Sequence, residues 1–408
     1  MGRRFTWAKH GLGCLLIAAA LAACEPATAP DDPRGLPWPA LERAARGAEV
    51  YLAMWTGDAA INRYMRERIS PRLRERYAID LHIVPAQGDI PTLLANELAA
   101  GQQRSNIDLV WINGETFYKL RQLAALYGPF TETLPNNAYV DWHNPRIAQD
   151  FQQSVDGFEA PWGTVQLLLI VDGRRVAEPP QDADALAAWI LAHPGRFSFD
   201  TAFTGLSFMK SIAIGLAHDR NALAGPFDEA RYRQARDRLF AWLRRVRPAL
   251  WHAGETFPRD VAQLHQLFAS GEIDFTMSMN DGEVENKIAN GLFPDSAKAY
   301  ALASGTIANS HYLGIVARAP HKAAAMVVIN ELLSPQAQYE KQQPAVWGDG
   351  TVLDVARLPP PWPTRFAAIA ARAHAPARDE LASRALAEPA AEVMIRLEQD
   401  FRAQFLSD

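Results

Sequence analysis

The sequence predicts an α/β fold, and three observations carry that prediction. The stretch 108–120, DLVWINGETFYKL, reads as a short buried strand, a glycine turn and the start of an amphipathic helix. Two similar strand-then-helix units precede it, and three in a row are the pattern of a parallel sheet with helices on its faces. The chain has 408 residues, 49% hydrophobic and 21% charged, which is ordinary globular composition and enough length for about two domains.

The N-terminus is expected to lie outside the fold. Arg3, Arg4 and Lys9 form a basic segment, and residues 11–20 form an apolar run shorter than the roughly 20 residues of a bilayer span. Leu21-Ala22-Ala23-Cys24 follows, the pattern of a bacterial lipobox. Residues 1–23 are then a signal peptide, and Cys24 is the lipidated mature N-terminus. The other cysteine, Cys14, lies inside the signal, so the folded part offers neither a disulfide nor a thiolate. The formal charge is −5, and losing the three basic residues of the signal makes it more negative. No basic patch with interleaved aromatics appears, so nucleic acid is not an expected partner. Residues 24–47 hold Pro26, Pro30, Pro33, Pro37 and Pro39 and read as an extended, semi-rigid tether.

Residues 50–55 form the first predicted strand. Asp58 caps a helix with Ile61, Tyr64, Met65 and Ile69 on one face, and Ser70-Pro71 reads as a fresh helix start. Residues 79–84 are a second strand. Asp89 caps a helix carrying Leu93, Leu94 and Leu98, stopped at Gly101. Asn113-Gly114 ends the third strand, and Glu115 opens a helix with Phe117, Leu120 and Ala124 in phase. Further on, strands are expected at 165–171, 196–200, 274–279, 300–303 and 311–316. Helices are expected from Asp182 or Asp184 through Trp189, and at 208–218, 228–246, 258–268, 283–290, 322–333 and 335–342. The loop 201–207 opens the 208–218 helix. From Pro359 the chain reads as Ala- and Arg-rich helix with proline breaks.

The strand ends share one chemistry. They are Thr56-Gly57-Asp58, Asn113-Gly114-Glu115, Thr204-Gly205, Asn280-Asp281-Gly282 and Gly305-Thr306. Singly, each is what turns and caps use. Together they lie after apolar strands and before helices, where open α/β sheets bind small ligands. With the segments around 162–166 and 305–312, the candidate ligand-binding residues are Trp55, Thr56, Gly57, Asn113, Gly114, Glu115, Trp162, Gly163, Gln166, Thr204, Gly205, Asn280, Asp281, Thr306, Asn309 and Tyr312. Catalytic signatures are absent: no Gly-x-Ser-x-Gly, His-Glu-x-x-His or Walker-type loop occurs, and the histidines are scattered. No catalytic residue, metal ligand or cofactor is therefore assigned. Trp55, Trp111, Trp162, Phe203 and Tyr312 near Asp58, Glu115, Asp281 and Glu283 favour a small cation or planar ring, since no Arg or Lys lies within the five junctions. Hydroxyls at Thr56, Thr204, Ser207 and Thr306 leave an anion open.

These features together resemble the solute-binding proteins of bacterial ABC importers, and within them a YnjB-type group. The residues that carry the resemblance are DLVWINGETFYKL at 108–120, PWGTVQLLLIVD at 161–172, TGLSF at 204–208 and GTIANSHYLGIV at 305–316. The resemblance implies a two-lobed, type II periplasmic-binding-protein-like fold, each lobe a mostly parallel sheet flanked by helices. One lobe would take 48–163 and 308–345, the other 164–307, with a C-terminal helical segment, 346–408, packed on them. It implies a small polar solute held between the lobes, a permease and ATPase as partners, a monomer, and a periplasmic location with a lipid anchor. Iron-binding relatives use two adjacent tyrosines, whereas Tyr312 and Tyr339 each stand alone here. Thiaminase-like relatives use a cysteine that the mature chain lacks. A hydrolase working with cleft carboxylates and a ligand-sensing module remain as alternatives.

Overall fold

The computed structural model describes residues 1–2, 32–86 and 90–406, so all but the first two residues of the signal segment, with Cys24 and Asp89, lie outside the described residues. The first part of the chain builds α1 (Trp38–Ala45), β1 (Glu49–Met54), α2 (Ala59–Tyr64), α3 (Ser70–Tyr77), β2 (Asp80–Pro85), α4 (Ile90–Ala99), β3 (Leu109–Ile112), α5 (Thr116–Gln122) and β4 (Leu126–Tyr127). The middle adds α6 (Pro145–Ala148), β5 (Gln149–Asp150), β6 (Gln153–Ser154), β7 (Glu159–Gln166), β8 (Leu168–Asp172), α7 (Ala183–Ala192), α8 (Phe203–Leu216), α9 (Glu229–Val246), α10 (Val261–Ser270), β9 (Phe275–Ser278), α11 (Glu283–Ala289) and β10 (Ala297–Tyr300). The last part holds β11 (Thr306–Val316), α12 (Lys322–Leu332), α13 (Pro335–Gln342), α14 (Trp362–Ala367), α15 (Arg378–Ser383), β12 (Ala385–Ala387) and α16 (Ala391–Phe405).

Local signals explain many of the boundaries. Asp58 accepts from the N–H groups of Ala60 and Ile61 and so caps α2. Asp182, Asp228 and Asp260 cap α7, α9 and α10 in the same way. Gly271, at φ 77°, ends α10 in the left-handed conformation that glycine tolerates best.

Among the described residues, buried side chains form two cores. One gathers residues from 41–162 and 312–366, including Leu52, Val110, Phe117, Trp162, Leu313 and Val327. The other gathers Phe151 and residues from 167–307 and 381–405, including Leu169, Phe208, Leu239, Phe275 and Leu397. A seven-stranded sheet runs β12-β11-β3-β1-β2, with β4 and β7 also paired to β11. The second core holds the three-stranded sheet β10-β8-β9. The chain passes between the cores at the β7–β8 junction, along β11, and again between Phe366 and Leu381.

Several expectations are corrected. The sheets are not mostly parallel: the larger is mixed and the smaller antiparallel. The pairs β1–β2, β1–β3 and β11–β12 are parallel, but β11 is antiparallel to β3, β4 and β7. The three-stranded sheet is antiparallel throughout, because β9 and β10 both return along β8 in the opposite sense. The tether gives way well before residue 47, since Leu41 and Ala45 of α1 enter the first core. Ser70-Pro71 does not restart a helix. A π turn over Met65–Ile69 joins α2 to α3, with Ser70 donating to the Met65 carbonyl, so the missing N–H of Pro71 leaves no gap at the start of α3. Residues 196–200 form no strand: Phe197 and Phe199 are buried, with single backbone bonds from Asp274 to Arg196 and from Trp251 to Phe197. Helix α8 begins at Phe203, so Thr204 and Gly205 lie in its first turn and not in a loop. Ala124 is exposed at φ 49°, past the end of α5, and Ala125 is buried instead.

Candidate functional site

Strand β11 organises the site. It lies between β3 and β7, so His311 comes beside Trp111 of β3 and Trp162 of β7. Trp347, in the turn after α13, closes the group. Every pair among these four rings lies 5.0–6.0 Å apart, centroid to centroid. Those spacings are those of packed aromatic pairs.

A buried ion pair lies against the rings. His311 Nε2 is 3.0 Å from Asp349 Oδ2, and Lys341 Nζ donates to the same oxygen at 2.5 Å and to the Gly350 carbonyl at 2.8 Å. Gly163 makes this possible. A Cβ there would stand 1.9 Å from Asp349 Oδ2 and 2.3 Å from His311 Nε2. Burial opposes the Asp349 charge, but Lys341 and His311 outweigh it and hold the carboxyl below its usual range. Burial pushes the His311 imidazole down against the pull of Asp349, so the ring is neutral at pH 7. A neutral ring beside a carboxylate donates through Nε2 and leaves Nδ1 as an acceptor. Trp111 Nε1, Trp162 Nε1, His311 Nδ1 and Asp349 Oδ1 are buried without a hydrogen-bond partner in the protein.

The second core reaches this group through the loop after β9. Asn280 Nδ2 donates to the Trp347 carbonyl at 3.1 Å. Arg378 bonds both Asp281 oxygens and the Gly348 carbonyl, and Arg372 also pairs with Asp281. Gly282 lies directly on Gly348: a Cβ on Gly282 would be 2.6 Å from the Gly348 Cα. Lys287 of α11 pairs with Asp58 of the first core and, at 2.9 Å, with Glu283. His265 Nε2 is 3.6 Å from Glu283.

The predicted residues therefore separate. Trp162, Gly163, Asn280 and Asp281 come together around the rings. Trp55, Thr56 and Gly57 lead into Asp58; Trp55 is 37% exposed and its ring covers Gly57. Gly114 packs against Phe203 and Met394 of the second core, Thr116 N–H bonds the Asn113 carbonyl, and Glu115 pairs with Lys119 at 2.8 Å. Gln166 donates to the Thr306 hydroxyl at 3.1 Å, which ties β7 to β11 where both leave the first core. Thr204 and Gly205 belong to the first turn of α8, where Asp200 accepts the Gly205 N–H at 3.1 Å. Asn309 donates to Glu388 at 2.8 Å, and Glu388 pairs with the buried Lys210. Tyr312 is a core residue: its hydroxyl lies 3.0–3.2 Å from the Arg146, Ile147 and Gln149 carbonyls.

His311, Lys341, Trp347 and Asp349 escaped the sequence reading. Trp347-Gly348-Asp349-Gly350 has the same aromatic, glycine and acid spelling as Trp55-Thr56-Gly57-Asp58, but it follows a helix rather than a strand. The cation preference also loses its support. Asp58, Glu115, Asp281 and Glu283 are each paired with a lysine or arginine of this chain.

Residues 75–371 match the family described as bacterial extracellular solute-binding protein. The chain is 37% identical over 327 residues to Protein YnjB of Escherichia coli (strain K12), covering 79% of this chain and 84% of that one. Among solved structures it is similar to a putative spermidine/putrescine ABC transporter from Listeria monocytogenes, with TM-score 0.61 and 13% identity over 87% of this chain and 98% of that one. It is also similar to the periplasmic binding protein AfuA from Actinobacillus pleuropneumoniae with fructose-6-phosphate bound, with TM-score 0.61 and 12% identity over 88% and 98%. A third is iron-bound HitA from Pseudomonas aeruginosa, with TM-score 0.56 and 14% identity over 86% and 99%. At such identities the likeness is one of fold, and the ligands named for those proteins differ in charge and size.

Proposed function

Since the chain belongs to the family of bacterial extracellular solute-binding proteins, it is a solute receptor of an ABC importer, and we propose that it holds its solute where the two cores meet, against Trp111, Trp162, Trp347 and His311. The observation that carries this reading is the set of four buried, unpartnered polar atoms on and beside these rings. Buried polar groups are generally bonded; other buried atoms of this chain, such as the carboxylate oxygens of Asp150 and Glu159, also lack a partner, but these four gather on one packed group of side chains. The proposed lobes are 48–163 with 308–345, to which α1 adds, and 164–307, with residues 346–408 packed on them.

Binding works by differential affinity. A solute touching both lobes favours the closed arrangement by the contacts it makes only there. The closed molecule then docks on the permease, whose ATPase drives release. No covalent step is needed. The junction carboxylates Asp58, Asp281 and Glu283 are tied to lysines and arginines, which favours the receptor reading over an enzyme that would use them.

The site is tested by recovering bound solute from the purified protein and from its Trp162→Phe variant. Wild-type protein should carry one small molecule, returned chemically intact after prolonged incubation, and the variant should lose most of it. Steady product formation would favour the hydrolase. The receptor is further proposed to act as a monomer in the periplasm, tethered through lipidated Cys24. Cys24→Ser should then move it from the membrane fraction to the soluble one.

A further inference from the structure

We propose that the solute is uncharged and hydroxyl-bearing, a monosaccharide or similar polyol ring, rather than a cation or a phosphate ester. This rests on the ring cluster being the binding site.

The argument is a count of donors and acceptors. Trp111 Nε1 and Trp162 Nε1 can only donate. Asp349 Oδ1 can only accept, and His311 Nδ1 accepts because Nε2 faces Asp349. Leaving such groups buried and unbonded is costly, so a matching solute must accept twice and donate twice. An ammonium group donates but does not accept. A phosphate dianion accepts but does not donate, and it would meet the Asp349 carboxylate. A hydroxyl does both. Two hydroxyls on one ring could serve the indoles, His311 and Asp349 together, with the ring's C–H face against the aromatic side chains.

The charges point the same way. Asp349 is balanced by Lys341, which also holds the Gly350 carbonyl. The Lys341 ammonium already lies 5.4 Å from the Trp347 ring centroid, the position a ligand cation would seek. Asp58 and Glu283 are occupied by Lys287, and Asp281 by Arg372 and Arg378. Each of these carboxylates already has a cationic partner, and each of these cations a carboxylate.

The test uses solute-free full-length protein, read by tryptophan emission and calorimetry. The probes are the aldopentoses, aldohexoses and their alditols, beside sugar phosphates, spermidine and thiamine. The proposal expects saturable binding of at least one neutral probe. Its Kd should change less than about twofold between 50 and 500 mM salt, since screening weakens only charged contacts. Trp111→Phe and Trp162→Phe keep a ring and remove one donor, and each should raise that Kd about tenfold. Failure to bind every neutral probe overturns the proposal. If a charged probe binds instead and both variants weaken it, the site stands and the uncharged solute is refuted. A neutral probe held equally well by wild type and both variants refutes the site itself, and with it this count.

Discussion

Replacing Gly163 by alanine tests the centre of the site. The added Cβ would fall 1.9 Å from Asp349 Oδ2 and 2.3 Å from His311 Nε2. Ordinary contact needs well over 3 Å, so the carboxylate must retreat by more than an ångström. It cannot do so freely, because the same oxygen is shared by Lys341 and His311 and the side chains of Asp349 and Lys341 are almost fully buried. Retreat leaves the Lys341 ammonium inside the protein without its partner. Breaking a buried pair in this way typically costs about 3–5 kcal/mol. Urea unfolding followed by tryptophan emission should show a loss of that order, as a lower midpoint at unchanged slope. Gly35→Ala is the control: a Cβ there meets nothing within 4 Å, and the change should fall within about 0.5 kcal/mol. In a Lys341→Met, Asp349→Asn background most of the Gly163→Ala penalty should vanish, since no buried charge is left to strand. A penalty below about 1 kcal/mol in the otherwise native protein would refute the account of Gly163.

Three further outcomes follow from other groups. Asp58→Asn keeps the helix cap and removes the charge facing Lys287; the solute-free protein should open, giving a larger radius of gyration by X-ray scattering, and an unchanged radius would show that this pair does not hold the cores together. Lys210→Met strands buried Glu388 and should cost about 3–5 kcal/mol in urea unfolding, whereas Lys210→Met with Glu388→Gln should recover most of it. Burial pushes Asp200 up to about 6 against the Gly205 and Ala202 N–H bonds, so the folded state takes up a proton before the unfolded state does. The stabilisation this brings is complete below the unfolded value near 4 and is lost as pH rises through 6. Asp200→Asn should therefore be more stable than wild type at pH 7.5, by at most about 3 kcal/mol, with the gap closing towards pH 4; a pH-independent difference would count against it.

The sequence carried the local parts of this structure. Alternation and apolar runs exposed β1, β2 and β3, and the cap at Asp58 was plain from its own neighbourhood. What it concealed was pairing at long range. Nothing near residue 311 says that β11 enters between β3 and β7, yet that placement alone brings His311 to Trp111 and Trp162. The acids near the junctions suggested a cationic solute because their partners are remote: Lys287 is 229 residues from Asp58, and Arg378 is 97 from Asp281. Trp347 and Asp349 follow a helix, so a search of strand ends passed over them. The apolar face of α8 was legible, but Lys210, buried with Glu388, reads in sequence as an ordinary helix lysine.

The third passage of the chain between the cores bears on how the molecule is made. β1, β2 and β3 leave the ribosome early, but their sheet is joined to β7 only through β11, which emerges some 200 residues later. The other core draws in Phe151, continues from Leu167 and is completed by Leu397, Phe401 and Phe405 of α16. A nascent chain therefore finishes neither core until most of it has been synthesised, and contacts so far apart in sequence form slowly. For an extracellular protein that delay is useful, because a chain without a finished core can still be threaded across a membrane. Loss of α16 would leave the second core open after export, with its apolar wall exposed to proteases and to other chains.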